Sequence, residues 1–265
     1  MTDRVSRIFP GPDGDAPVLL AVDGSSRYCS LAVGIAGPAE EPPAFHVLAE
    51  ITADLHRAHA ERLLPLVEQV MDLAGLTRDQ VTHLVAVVGP GSFTGLRVAL
   101  AAWKGLALAW HLPLVGVSTL RALALQCPSR DGWIAPMLDA KMGEVFGAVF
   151  RWRHDGSIEV VVEEQALSPG QFAGKLAGLG GTVYALGDGL WRYGDVLRDA
   201  VPGLVPLSRP MGTPRASTVG LAAVWRLRDK EALPDPSRVN PVYLRASQAE
   251  AARASRGETV HDGTD

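Results

Sequence analysis

Cysteine is scarce: Cys29 and Cys127 are the only two in 265 residues, far apart and in apolar or loop surroundings. That excludes a disulfide framework and a thiolate metal site. No apolar run approaches the roughly 18 residues of a membrane span. The first residues carry Gly, Pro and Asp where a signal peptide needs an apolar stretch. The expectation is a soluble cytoplasmic protein with no membrane contact. Positive charge is not in excess either, since 25 Lys and Arg face 29 Asp and Glu, a net charge of −4. No molecule-wide field draws this chain to nucleic acid, so any RNA contact requires a local basic patch or a basic partner.

What is present is a core-forming chain, 47% hydrophobic and long enough for two modest domains or one bilobal unit. Its most informative stretch is Val85 to Arg97. The apolar run Val85-Ala86-Val87-Val88 ends in Gly89-Pro90-Gly91, and Ser92, Phe93, Thr94, Gly95, Leu96 and Arg97 open an alanine-rich segment to about Trp110. This reads as a buried strand, a sharp glycine turn and a helix. Glycines there let the backbone approach either a ligand phosphate or another packed element. A dinucleotide loop fits poorly, because the next strand, Leu114 to Val117, offers no acid for a ribose. A Walker loop is excluded, because Leu96 and Arg97 follow Gly95 where that motif needs lysine.

Along the chain, 1–16 and 249–265 read as flexible tails, 17–112 and 113–235 as two lobes, and 236–248 as a C-terminal segment. A strand from Val18 to Val22 ends at Asp23-Gly24-Ser25-Ser26, and Tyr28 to Val33 returns as its hairpin partner; Phe45 to Ile51 makes a third strand. A helix over 61–74 is predicted from Leu63, Leu64, Val67, Val70, Met71 and Ala74 at helical spacing, with Gly75 as its C-cap and Pro65 at its start or at a kink. The helix from Leu96 to Trp110 is apolar on nearly every face, so it must be covered on nearly every face. Trp133 to Leu138 and Glu144 to Phe150 form a second hairpin around Asp139, after which Ile158 to Val162 is a strand, Pro169 to Leu179 a helix and Val183 to Leu186 a strand. The last long helix runs from Ser217, a suitable N-cap, to Asp229. The repeated strand–Asp turn–strand pattern points to two related lobes.

The segments LLAVDGSSRYCSLAV, RAHAERLLPLV, VVGPGSFTGLRVALAAWKGLAL, PLVGVSTLRALA, LDAKMGEVFGAVF and NPVYLR together resemble the bacterial TsaB (YeaZ) family, in order over about residues 18–245. The long tails and the PPAFHVLAE segment depart from the family pattern without touching a motif. The resemblance implies an α/β, actin-like (ASKHA) two-lobed fold, each lobe a mixed sheet opening with a β-hairpin and flanked by helices. It implies a non-catalytic dimerisation subunit of the complex that forms N6-threonylcarbamoyladenosine in tRNA beside the anticodon. Its partners would be the catalytic paralogue TsaD and the ATPase TsaE, with a homodimer when alone and tRNA met only through the complex. No cofactor is required by this subunit; ATP or ADP and a metal belong to the complex. In the catalytic relative a histidine pair binds the metal, and the matching positions here are Thr119 and Leu123, which are not metal ligands of that kind.

Three groups are candidate sites. Asp23, Gly24, Ser25, Ser26 and Asp139 stand where an actin-like ATPase holds phosphates, as a vestigial nucleotide site. Gly89, Pro90, Gly91, Ser92, Thr94, Gly95 and Arg97 form the glycine turn. His59, Leu63, Val67 and Met71 on one helix, with Leu96, Leu100, Trp103 and Ala107 on the next, are the expected partner interface, since the family pairs these helices with those of its partner in a four-helix bundle. The bland alternative for both helices is core. His56, His59 and Glu61 do not make a zinc-protease motif, which needs histidines four apart on one helical face. The competing functional class is a self-sufficient ASKHA-type nucleotide enzyme, a small kinase or ATPase.

Overall fold

The unbroken apolar run Val18-Leu19-Leu20-Ala21-Val22 signals a strand covered on both faces. In the structure, a computed structural model describing residues 16–38, 43–55, 58–229 and 232–244, that strand is the centre of a sheet. Leu20 and Val22 point into one core and Leu19 and Ala21 into another. The elements are β1 (Val18–Asp23), β2 (Tyr28–Ala36), β3 (Phe45–Asp54), α1 (His59–Ala74), β4 (His83–Gly89), α2 (Phe93–Trp110) and β5 (Leu114–Ser118). They build a five-stranded sheet in the order β3-β2-β1-β4-β5, antiparallel from β3 to β1 and parallel from β1 to β5. The expected tails, apart from Ala16, lie outside the described residues.

After the short helix α3 (Thr119–Ala124) the chain repeats itself. β6 (Trp133–Lys141), β7 (Glu144–Trp152), β8 (Ile158–Leu167), α4 (Pro169–Ala177), β9 (Val183–Leu186), α5 (Asp188–Ala200) and β10 (Leu204–Pro206) make a second sheet in the order β8-β7-β6-β9-β10. This is the order of the first sheet, with antiparallel pairing from β8 to β6 and parallel pairing from β6 to β10. The expected fold class is therefore the observed one.

The expected lobe boundary at 112/113 is corrected. β5 is the fifth strand of the first sheet, and α6 (Ala216–Arg228) returns to pack on that sheet, with Val219 and Ala223 in one core with Leu19, Ala21 and Ala32. Two further differences are local. Pro65 stands inside α1 on its exposed side, not at the start. The N-cap of α6 is Arg215, and the Ser217 N–H instead donates to Glu50 Oε1 at 2.9 Å. Among the described residues no helix is long and apolar enough to cross a membrane.

Candidate functional site: two hairpin tips and a helix pair

β1 ends at Asp23, which is 1% exposed. Its Oδ1 accepts the Ser25 N–H at 2.8 Å and the Ser25 hydroxyl at 2.7 Å, closing the turn to β2, while its Oδ2 has no partner. Burial pushes this carboxyl up to about 6, against the lowering pull of the two Ser25 hydrogen bonds. The glycine turn lies directly on this tip. The Ser92 N–H donates to the Ser25 carbonyl at 2.6 Å. A Cβ on Gly95 would stand 2.2 Å from the Gly24 carbonyl oxygen, and one on Gly91 would stand 2.5 Å from that of Ser25. The glycines let backbone meet backbone: of the two readings left open by the sequence, the structure takes the packed element.

Ser92 also caps α2, accepting the Gly95 N–H at 3.3 Å, and Thr94 is exposed in the first turn. The C-terminal segment covers the other side of the turn. The Val242 N–H donates to the Val88 carbonyl at 2.7 Å, and the Val242 carbonyl fills the space beside Gly89. Arg97 donates through Nε to the Tyr243 hydroxyl at 2.7 Å and lies 3.7 Å over the Phe93 ring. Lys104 reaches Asn240 Oδ1 at 3.0 Å. Pro90 is buried.

The second hairpin tip repeats the turn with different charges. Asp139 Oδ1 accepts the Lys141 N–H at 2.9 Å, and its Oδ2 accepts from Lys141 Nζ at 2.8 Å and from Arg192 at 3.0 Å. Partial burial works against its ionisation, but the bonds from Lys141 and the charges of Lys141 and Arg192 outweigh it and hold the carboxyl below the usual range. The Asp139 N–H donates to Asp188 Oδ1 at 2.8 Å, and burial raises the Asp188 carboxyl. These bonds all stay within the second lobe.

An actin-like phosphate site needs two open turns with an acid free to hold a hydrated metal. Here Asp23 is sealed beneath α2, Gly24 and Ser25 are buried with it, and the Ser26 hydroxyl is taken by the Tyr28 N–H at 3.1 Å. Asp139 is engaged by two cations. The expected nucleotide site is corrected accordingly: the residues at the two tips do not fit a metal–phosphate group. Nor do Thr119 and Leu123 fit a metal, because both side chains are buried, the first with an unpartnered hydroxyl and the second among aliphatic neighbours. Among the described residues no three His, Cys, Asp or Glu side chains stand together as a metal set.

The helix pair also departs from expectation. Leu63, Val67, Met71, Leu96, Leu100, Trp103 and Ala107 are all at most 7% exposed and pack in the chain's own core, not at a partner surface. The sheet takes the most apolar stripe of each helix, and the Trp103 indole N–H donates to the Leu20 carbonyl at 3.2 Å. His59 opens α1, and its side chain lies outside the described residues, as does His56. Other residues are left uncovered: Leu64 and Leu73 on opposite flanks of α1, 49% and 69% exposed, and Leu108 on the outer side of α2, 56% exposed, with Ala101, Gly105 and Ala109 exposed on that same side. A Cβ on Gly105 would meet nothing within 4 Å. The sequence signal for this face is the helix that is apolar all round; which side the sheet takes is the missing information.

Comparison with known proteins agrees with this architecture. A family model described as TsaD, tRNA N6-adenosine threonylcarbamoyltransferase, matches residues 46–186. The chain is 28% identical over 238 residues to the tRNA threonylcarbamoyladenosine biosynthesis protein TsaB of Escherichia coli, covering 87% of this chain and 96% of that protein. It is 28% identical over 235 residues to TsaB of Bacillus subtilis, with 88% and 96% covered. The solved structure of YeaZ from Pseudomonas aeruginosa superposes with a TM-score of 0.69 at 28% identity, covering 86% of this chain and all of that one. With a transferase model spanning more than half of its residues and TsaB relatives matched over nearly their whole length, the chain belongs to the TsaB (YeaZ) family.

Proposed function

We propose that this chain serves the synthesis of threonylcarbamoyladenosine in tRNA as a non-catalytic subunit, docking the catalytic paralogue TsaD through the outward face of α1 and α2. The observation that carries this reading is the uncovered face of α2, where Ala101, Gly105, Leu108 and Ala109 are exposed together and a Cβ on Gly105 would meet nothing within 4 Å, with Leu64 exposed on one flank of α1. A face of this kind marks an interface, and small residues let a facing helix approach closely. The donor sets argue for the division of labour: with Asp23 sealed, Asp139 paired and Thr119 and Leu123 at the ligand positions, metal and nucleotide are held by the partners TsaD and TsaE. Without its partner the same face pairs two copies of the chain, since such a patch favours a twofold dimer. Transfer RNA is then met within the complex.

The test is to mix the chain with its genomic TsaD paralogue and measure the mass of the complex. Leu108→Glu should weaken that complex and the homodimer a hundredfold or more, because burying an unpaired carboxylate costs several kcal/mol. The variant should stay folded, since Leu108 is already 56% exposed. Undiminished association would place the interface elsewhere. ATP turnover by the isolated chain would favour the nucleotide-enzyme class instead.

A further inference from the structure

The chain as a whole is acidic, at −4, yet the far end of the second lobe gathers arginine. Between the β7–β8 turn and the loop before β6 lies a cleft of about 680 Å³, lined by Arg130, Arg151, Arg153 and His154 with Trp152 between them. Arg130 sits 4.6 Å over the Trp152 ring, and Arg151 sits 5.3 Å over that of Trp133. The Trp152 indole N–H is buried without a partner. Two carboxylates share the cleft, and both are engaged. Glu159 accepts from Arg151 at 2.9 and 2.5 Å and faces Arg153 at 3.6 Å; Asp155 Oδ1 accepts the Ser157 N–H and hydroxyl at 2.9 and 2.6 Å. Three guanidiniums against two carboxylates leave a positive surplus, and Arg130 has no carboxylate partner among the described residues.

We propose that this cleft is an RNA contact, in which Arg130, Arg151 and Arg153 hold the phosphodiester backbone of a single-stranded loop or end of tRNA. The Arg130 guanidinium, seated on Trp152, is the platform on which a base stacks. Three features favour a strand over a lone phosphate. The volume is of the size that takes a nucleotide. Guanidinium planes and indoles are the surfaces on which unstacked bases lie. Among the described residues no carboxylate takes the Arg130 guanidinium, which leaves it N–H donors for phosphate oxygens. The inference rests on the tRNA role proposed above only for the source of the RNA.

The experiment measures binding of a labelled tRNA transcript by fluorescence anisotropy at low salt, for the full chain alone and in complex with the paralogue. Arg130→Ala/Arg153→Ala should weaken binding at least tenfold and flatten the salt dependence by about 0.7 in log–log slope per lost phosphate contact. The control Arg78→Ala/Arg198→Ala removes the same charge elsewhere on the surface and should stay within twofold. Arg130→Gln/Arg153→Gln repeats the test should the alanine pair melt early. Equal loss in the control, no arginine dependence with or without the paralogue, or full displacement by ATP or by polyglutamate would each overturn the proposal. Binding of the paralogue should be unchanged in the arginine variants. Loss of tRNA binding with the complex intact, or the reverse, separates this cleft from the docking reading.

Discussion

In each lobe the first hairpin turns on an aspartate that accepts the N–H two residues on, from Ser25 at 2.8 Å in one and from Lys141 at 2.9 Å in the other. The sheets behind them share one strand order. The side chains have different fates: Asp23 is buried with one oxygen unpartnered, whereas Asp139, its side chain only 6% exposed, is met by the exposed cations Lys141 and Arg192. The cause lies in the helix that each lobe places after its parallel strand. From β4 the Gly-Pro-Gly turn throws the long α2 across the tip, backbone against backbone. From β9 the chain enters α5, which brings Arg192 to the tip. Backbone meets backbone there too, since a Cβ on Gly187 would stand 2.1 Å from the Met137 carbonyl oxygen, so one topology yields one tip closed by packing alone and one closed by packing and ion pairs.

The largest effect that tests this contrast is expected from Leu100→Glu. Leu100 is 2% exposed in the core that α2 shares with β1. An unpaired carboxylate there should cost more than about 4 kcal/mol, a large part of a typical stability. No cooperative melt should remain by circular dichroism. A folded variant that had merely lost its partner would restore Leu100 to the interface. Next is the closeness of the two tips. Gly95→Ala should cost about 3 kcal/mol, since overpacking against backbone cannot be relieved by a rotamer. Gly189→Ala should cost less, about 1 kcal/mol, because its Cβ would stand 3.0 Å from the Leu138 carbonyl carbon, not 2.2 Å from an oxygen. Gly187, just before α5, is as tightly placed as Gly95, its Cβ standing 2.1 Å from the Met137 carbonyl oxygen, so equal losses at Gly95 and Gly189 in denaturant melts would mean that the first turns of the two helices pack alike.

How far the sequence carries can be judged from these residues. The strands, the glycine turn and the repeat are legible because apolar runs and Asp or Gly turns are local signals. β10 is not, being three residues with an exposed end. Membership of β5 and α6 in the first sheet depends on long-range pairing that no local pattern encodes. The helix pair shows the sharper limit. Periodicity says that one stripe is buried, yet the sequence reading gives the interface to Leu63 and Leu100, which the sheet claims, and passes over Leu64 and Leu108, which it leaves outside. Likewise DGSS reads as an open phosphate turn, because burial of Asp23 is imposed by α2, some seventy residues on. The arginine cleft is only half legible, because Arg151-Trp152-Arg153-His154 is a local basic and aromatic run that the sequence reading passes over, whereas Arg130 is joined to it only by the fold.

The Asp23 carboxyl gives a pH test of the contrast. Its folded pKa, about 6, lies above the value of 3.8 expected when exposed. Between these two values the unfolded chain has lost the proton that the folded chain keeps, so folding takes up a proton and stability falls as pH rises. The full loss, reached above pH 6, is up to about 3 kcal/mol. Asp23→Asn keeps an oxygen to accept from Ser25 and should abolish this slope in melts between pH 4 and 6.5. A slope that survives the substitution would assign it to another group.

The smallest effect, and the one that completes the comparison, belongs to Asp139. Its folded carboxyl is held below the usual range by Lys141 and Arg192. In the window beneath the ordinary aspartate pKa, the unfolded chain therefore binds the proton more readily than the folded one. The stability it contributes is present above that window and is lost as pH falls through it, the reverse of Asp23. The Asp139 side chain is itself only 6% exposed, but its partners are well exposed, Lys141 at 70% and Arg192 at 56%, so solvent screens the cationic side of each pair. Asp139→Asn should then cost at most about 1 kcal/mol at neutral pH. Molar salt should erase most of that difference, because the Debye length shrinks to about 3 Å. The same salt should leave the Asp23 slope in place, since its cost is desolvation and not attraction to a partner. If salt removed both slopes, or neither, the two tips would share one electrostatic origin and the division between a packed tip and a paired tip would fail.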